Sequence, residues 1–352
     1  AADIKLPLPF NANLTLEGIY AKNLNAVLQQ NINVIGLDDP KMKRFEGPDS
    51  RYMYPGQTES RLYPDMDGAY MLTNTNKGYS YNLNATLNLN PVENLNMKLA
   101  YTYTGSKEIS GNPGAQPYEL WQNTPTVNGG NHLALTNSQY LTPHRVMAAL
   151  SYRIPYANHF ATSISLFYTG YNPGNYSYTY NGDMNQDGIN NDLIYIPKSK
   201  DELTFVDKNG FTAAEQADAF WKYVNQDAYL SKHKGEYAEA YSARYPWINQ
   251  VDLKITQDFS IKAGKTTNTL QVSLDIFNIG NLLKDTWGIT KVPVNSGRIL
   301  KYEGVTANNV PTYSMYYTTE NGKNVLPTNT FSYLKDSSDC WQIQIGVRYL
   351  FN

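Results

Sequence analysis

Residues 79–90 read YSYNLNATLNLN. In an extended chain Tyr79, Tyr81, Leu83, Ala85, Leu87 and Leu89 fall on one side, and Ser80, Asn82, Asn84, Thr86, Asn88 and Asn90 on the other. Side chains of a strand alternate sides, so this segment is a strand with one apolar face and one face of amides and hydroxyls. A short PVENLN turn leads to MKLAYTYT, in which Met97, Leu99, Tyr101 and Tyr103 form the apolar row. The two runs predict a hairpin.

The same unit recurs along the chain. Val146, Ala148, Leu150, Tyr152 and Ile154 alternate, then PYANH turns into Phe160, Thr162, Ile164, Leu166 and Tyr168. Trp247, Asn249, Val251, Leu253, Ile255, Phe259 and Ile261 share a face, and KAGKTT leads to Leu270, Val272, Leu274 and Ile276. Near the start LTLEGIY, KNLN and AVLQQNINV predict a further hairpin, and near the end RILKYEG, TANN and VPTYSMYY another. WQIQIGVRYLF closes the chain with Trp341, Ile343, Ile345, Val347, Tyr349 and Phe351 on one face. The expectation is five hairpins and a last strand, about eleven antiparallel strands in all.

Composition narrows the class. The 352 residues carry a net charge of −2 with only 17% charged residues, which leaves no basic footprint for nucleic acid and no acidic tail. Aromatic residues make up 13%, with 30 tyrosines, too many for a disordered chain. Mean hydropathy is −0.51, and no apolar run approaches the ~18 residues of a membrane helix. Alternating strands average out as hydrophilic, so a membrane β-barrel stays open. The single cysteine, Cys340, forms no internal disulfide and no CxxC zinc motif. There is no GxSxG, HExxH or P-loop, and His132, His144, His159 and His233 stand far apart, so the sequence predicts no enzyme. The opening Ala1-Ala2-Asp3-Ile4-Lys5 is expected to follow a cleaved leader or an upstream part of a longer protein.

The alternation fits both a soluble sandwich with its apolar face inside and a large barrel with that face in lipid. Connection lengths separate the two. Turns within hairpins take about four to six residues, and connections between them about 17 to about 75, the pattern of short periplasmic turns and long outer loops. Loops containing Pro55, Asn112, Gly210, Trp287 and Asn321 are therefore expected outside, and turns at Asn23, Val92, Tyr156, Gly264 and Asn308 in the periplasm. Trp247 with Phe259, Phe160 with Tyr168, and Trp341 with Phe351 bracket strands as two aromatic girdles would. The fold class expected is an all-β transmembrane antiparallel barrel in the bacterial outer membrane, with lipid as its surroundings.

The chain ends on Gln344, Gly346, Tyr349 and Phe351 in QIGVRYLFN, which resembles the insertion signal read by the outer-membrane barrel assembly machinery, although Asn352 follows the phenylalanine. ARYPWINQVDLKITQDFSI, LQVSLDIFNIGNLL, RILKYEG and GVRYLFN together resemble the C-terminal barrel region of TonB-dependent outer-membrane receptors, and the Oar-like type of Bacteroidota in particular. GDMNQDGINNDLIYIP and YLSKHKGEYAEAY are similar to that group too, so the resemblance covers nearly the whole chain. It implies a 22-stranded barrel, a plug domain and energy supplied through TonB. Residues 1–352 are then the C-terminal half of one barrel domain, with neither plug nor TonB box, and residues 171–245 a long extracellular loop with a helical insert. The function expected is transport of a substrate across the outer membrane. The alternatives are a passive porin, an outer-membrane enzyme and a soluble β-rich surface binding module.

GDMNQDGINNDLIYIP also spaces oxygen ligands as a calcium loop does. Asp183, Asn185 and Asp187 take positions one, three and five, Gly188 position six and Asn191 position nine. Ile194 stands where a bidentate Glu is expected, with Asp192 nearby. The reading is Ca on Asp183, Asn185, Asp187, Asn191 and Asp192, against a metal-free turn of Asx type. From Thr212 to Ala243 the chain reads helical, with Thr212 and Glu215 as a capping box and Phe220, Tyr223 and Val224 as an apolar stripe.

Overall fold

A computed structural model of the chain describes residues 2–8, 11–334 and 336–351. Nine strands join edge to edge in chain order: β1 (Ala2–Leu8), β2 (Ala12–Lys22), β3 (Tyr79–Leu89), β4 (Leu95–Glu108), β5 (His144–Tyr156), β6 (Phe160–Tyr171), β7 (Ile248–Ala263), β8 (Thr266–Phe277) and β9 (Gln342–Phe351). Every neighbouring pair is antiparallel. Among the described residues β1 and β9 do not pair with each other, so the sheet is open.

Register follows the alternation. One rung runs Ala12, Leu89, Met97, Leu150, Leu166, Leu253, Ile276 and Ile343, apolar at every strand. Another, on the opposite face, runs Ser151, Ser165, Lys254, Asp275 and Gln344. Here Lys254 meets Asp275 at 2.6 Å, and Arg153 reaches Asp258 at 2.6 Å. A one-residue slip would exchange the faces of a whole strand, so the two stripes pin the register. The apolar rung starts at the short-turn end of β2 and ends at Ile343, eight positions before Phe351 in β9. With the short turns at one level, eight residues climb about 26 Å while seven strand spacings cross about 34 Å, a tilt of roughly 40°.

The apolar face is bare. Leu83 is 51% exposed, Ile345 73% and Val347 72%, and among the described residues no second layer covers them. The packed core lies instead in the long connections, residues 23–78, 109–143, 172–247 and 278–341, all at one end of the sheet. Tyr178, Tyr180, Met184, Tyr223, Leu230 and Tyr313 are fully buried there. Helix α1 (Pro117–Gln122) and helix α2 (Ala213–Gln226) belong to this body. The capping box of α2 forms as expected, with Glu215 N–H donating to Thr212 Oγ1 and Thr212 N–H to Glu215 Oε2. Phe220, Tyr223 and Val224 pack into the loop core.

Three expectations are corrected. The expected helix from Thr212 to Ala243 stops at Gln226, because extended Asp227 uses its carboxylate on the N–H groups of Tyr229 and Leu230 and starts a new turn. The sheet has nine strands along its path, with the two-residue Thr136–Asn137 paired to the end of β4, rather than about eleven. AVLQQNINV finds both edges of β2 occupied, by β1 and β3, so Ala26–Asn31 pairs with Tyr70–Thr75 in the first loop. Leu300–Val305 and Pro311–Met315 do form a hairpin, but it joins Thr204–Phe205 inside the loop body, where Pro311–Met315 is buried on both faces. These strands are shorter than the ~9–11 residues that cross a membrane. The turns at Asn23 and Asn308 therefore lie at the long-loop end: Asn23 N–H donates to Gly78 O, and Asn309 Nδ2 to Arg44 O. Strand β1 was not expected.

Phe220→Ala should open a cavity against Phe205, whose ring centroid is 6.0 Å away, and cost about 3–5 kcal/mol of loop-body stability. Denaturant titration of the folded protein checks this against Tyr140→Ala at a 72%-exposed position, expected within about 0.5 kcal/mol of the parent.

Candidate functional site

The acidic loop is built by its own side chains. Asp183 accepts the N–H of Asp187 at 3.1 Å on one carboxylate oxygen and that of Gly188 at 2.8 Å on the other. Asn185 Oδ1 accepts from Asp187 N–H, and Asp187 Oδ1 from Ile189 N–H, both at 2.9 Å. Asp192 closes the ring by accepting from Met184 N–H at 2.7 Å and Asn185 N–H at 3.3 Å. Gly188 sits at φ +91°, in the left-handed region that glycine enters without strain. The run that follows, Leu193 to Ile196, is buried in the loop core and anchors the loop from behind.

Asp183, Asn185, Asp187 and Asp192 thus converge on one loop, while Asn191 leaves it. The Asn191 amide donates to Gln122 O at 2.7 Å and Thr124 O at 3.0 Å, tying the loop to the segment after α1. Its Oδ1 is buried with no hydrogen-bond partner among the described residues. Among those residues no group of three or more His, Cys, Asp or Glu side chains is set closely enough to hold a metal ion as it stands. The carboxylates cap backbone N–H groups, the arrangement of the Asx-turn alternative.

Electrostatics single the loop out all the same. Burial, and then the charge of Asp183, push the Asp187 carboxyl up to about 7. Burial also raises Asp183, against the pull of its N–H donors. Burial holds Asp192 well above the carboxylate range, although the Arg51 guanidinium lies 3.5 Å away. Arg51 has its closer partner in Asp49, at 2.9 and 3.0 Å, and donates to Leu193 O at 2.7 Å.

Beside this loop lies a cavity of about 510 Å³ that the sequence did not announce. Its walls come from the first long connection (Tyr54, Arg61, Tyr70), the second (Tyr118, Trp121, Asn131) and the acidic loop (Asp187). No spacing motif marks such a site, because its parts lie far apart in the chain. Along β9, Gln344 and Gly346 face Asp275 and Ser273, and towards the short-turn end Tyr349 donates to Asn268 Oδ1 at 2.6 Å. Tyr349 and Phe351 stand 6.2 Å apart on the bare face, and the outer edge of β9 is unpaired among the described residues. Comparison with family models, curated proteins and solved structures found no match for this chain.

The Asp187 shift sets a sign. A folded value near 7 against an unfolded one near 4 means that the fold holds the proton more tightly. That stabilisation is complete below about pH 4 and is lost as pH rises through about 7. In chelator the thermal midpoint should fall between pH 5 and pH 8, and Asp187→Asn should remove part of the fall, with Asp192 and Asp183, also raised by burial, contributing the rest. Parallel curves for parent and variant would refute the assignment.

Proposed function

We propose that this chain is the barrel-forming portion of an outer-membrane transporter of the TonB-dependent type. The single observation that carries the reading is the bare apolar face of the nine-stranded sheet, which no other layer covers among the described residues. A soluble protein rarely leaves so large a contiguous apolar surface in water, and lipid is the solvent that matches it. Three further features agree. The tilt of roughly 40° lies in the range of outer-membrane barrels. The turns after β3, β5 and β7 are short and share one end, while the folded connections occupy the other. Aromatic rings gather at both strand ends: Tyr156, Phe160, Phe259 and Tyr349 around one rung, and Tyr103, His144 and Trp247 at the loop end.

Two open edges make the sheet incomplete in lipid. Each unpaired backbone group there costs several kcal/mol, so β1 and β9 need neighbouring strands and the nine belong to a larger closed barrel. Dependence on TonB rests on the resemblance of the barrel sequence alone, and so does a plug. The edge of β9, with Tyr349 and Phe351, is what the assembly machinery would pair. For the acidic loop we propose Ca as an ordering ion held by Asp183, Asn185, Asp187 and Asp192. Binding would relieve the repulsion of buried carboxylates and stiffen the outer body.

Tags inserted at Gly210 and Asn321 should be reachable on intact cells, and tags at Glu93 and Gly264 only after the outer membrane is opened. One reversed hairpin would overturn the topology. Phe351→Ala in the full-length protein should lower the amount of folded barrel, and unchanged surface levels with lost uptake would reject the assembly role. Protease nicking at 183–192 should slow on adding calcium in the parent and not in Asp187→Ala. Equal nicking with calcium and with chelator in the parent would reject the ion.

A further inference from the structure

The apolar face of the sheet is almost free of charge, and its exceptions stand together. Along β2 to β9 the side chains on the side of Leu83 and Ile345 include no carboxylate, and their only lysines are Lys22 and Lys107. Lys98, Arg153, Lys254 and Arg348 alternate onto the polar face instead. Lys22 and Lys107 share one rung, with Tyr79 between them as the register partner of both. Two strand spacings separate the lysines, about 10 Å at the backbone.

Their height is set by β3. Tyr79 and Leu89 are its two ends. Ten residue steps of ~3.3 Å at a tilt of ~40° climb about 25 Å, the height of the apolar band of an outer-membrane barrel. The two ammonium groups therefore stand at the loop-end rim of that band, where lipid headgroups begin. Aromatic rings pave the face around them. Tyr20 stacks on Tyr79 at 6.4 Å, Tyr81 lies 5.6 Å from Tyr103, and Tyr103 lies 5.1 Å from His144. Gly105 stands between Tyr103 and Lys107 on this face of β4, and a Cβ there would run into the Tyr81 ring. The ring thus leans across β4 below the lysine.

Further positive charge lies close by. Lys77, two residues before Tyr79, is exposed, and so is Arg244, whose charge reaches the Tyr81 hydroxyl. Among the described residues none of Lys22, Lys77, Lys107 and Arg244 has a carboxylate partner. Lys107 does not lack neighbours, since Tyr79 flanks it on one side and Asn137 on the other. Cations without counter-ions at the rim of a lipid-facing surface draw their anions from the lipid. A phosphate monoester fits them, bringing close to two negative charges and strong acceptor oxygens. A zwitterionic headgroup brings its own cation and gains less.

We propose that the rung of Lys22, Tyr79 and Lys107 is a docking site for a phosphorylated glycolipid of the outer leaflet. The phosphate sits between the two ammonium groups, and the acyl chains run down the apolar face along Leu16 and Leu83. Lys77 and Arg244 add to the attracting field. The inference rests on the barrel reading above, which puts this face in lipid and the long connections outside.

The test uses the full-length protein in neutral detergent, titrated with fluorescent lipid A and with the same lipid A stripped of its phosphates. Lys22→Gln and Lys107→Gln should each weaken binding of the phosphorylated lipid about fivefold, and together about twenty-five-fold, the attraction expected of one and of two cations at a membrane surface. Lys22→Arg with Lys107→Arg keeps both charges and should stay within about twofold of the parent. Lys98→Gln, exposed on the opposite face, should leave binding unchanged. Heat-resistant migration on gels shows that each variant is folded. Equal affinity for the two lipids, or a folded double glutamine variant that binds like the parent, would overturn the site. Displacement of the lipid by an equal concentration of inorganic phosphate would make it a free-anion site and overturn the lipid assignment. Correct tag topology without a preference for phosphate rejects the lipid site alone. Extraction without detergent, or reversed tags, rejects the barrel reading and the lipid site with it.

Discussion

The rest of the structure depends on a sheet whose apolar side has nothing from the described residues laid against it. Strands with one apolar and one polar face gain stability by burying the apolar one, and soluble folds do so with a second layer. Here the rung from Ala12 to Ile343 is apolar at each of its positions, and Met97, Leu166 and Ile343 on it are exposed. The sheet itself therefore supplies little hydrophobic stabilisation in water. Even the polar groups that stray onto that face satisfy one another: Thr162 and Tyr156 both donate to Gln257 Oε1, at 2.6 and 3.0 Å.

The same constraint explains the loop body. Four long connections at one end would carry a heavy entropic cost if they stayed mobile, and the sheet offers them no core to dock on. They make their own core, through contacts between segments far apart in sequence. Asp49 in the first connection accepts from Tyr180 and Tyr237 in the third, and Gln226 in the third donates to Thr330 in the fourth at 2.8 Å. A body tied together in this way can hold a cavity with fixed walls, which separate flexible loops could not.

How much of this was legible in the sequence depends on what each segment does. Residues 79–90 were readable because a strand with one apolar and one polar face shows both environments in a period of two, and β3 to β8 emerge where that period is cleanest. Leu300–Val305 and Pro311–Met315 misled because alternation does not distinguish a lipid-facing strand from a short hairpin buried in a core; length does. Ala26–Asn31 misled because pairing partners are set by free edges, which no local pattern records. In the acidic loop, spacing correctly brought Asp183, Asn185 and Asp187 together, since Asx turns are local. The second role of Asn191 had no local signal, because its amide N–H group answers carbonyls at Gln122 and Thr124, a contact outside the motif. The aromatic wall had no local signal at all, being assembled by tertiary packing from Tyr70, Tyr118 and Trp121.

The tyrosine content, 30 in 352 residues, finds a physical reason in the loop core. A body made of irregular connections leaves many backbone and side-chain polar groups inside, so purely aliphatic packing would strand them. Tyrosine brings a large apolar ring and one donor, and two buried aspartates collect those donors. Asp49 accepts from Tyr180 at 2.8 Å, Tyr237 at 3.1 Å and Tyr313 at 3.4 Å, besides Arg51. Asp227 accepts from Tyr178 and Thr330, both at 2.7 Å, and from the N–H groups of Tyr229 and Leu230. Each carboxylate is desolvated but surrounded by donors, the condition under which a buried charge is tolerable. Because the donors come from different connections, neither the first, the third nor the fourth can leave without orphaning a partner on another. The specificity of the loop body is thus fixed by where two acids sit, with the rings filling the space between them.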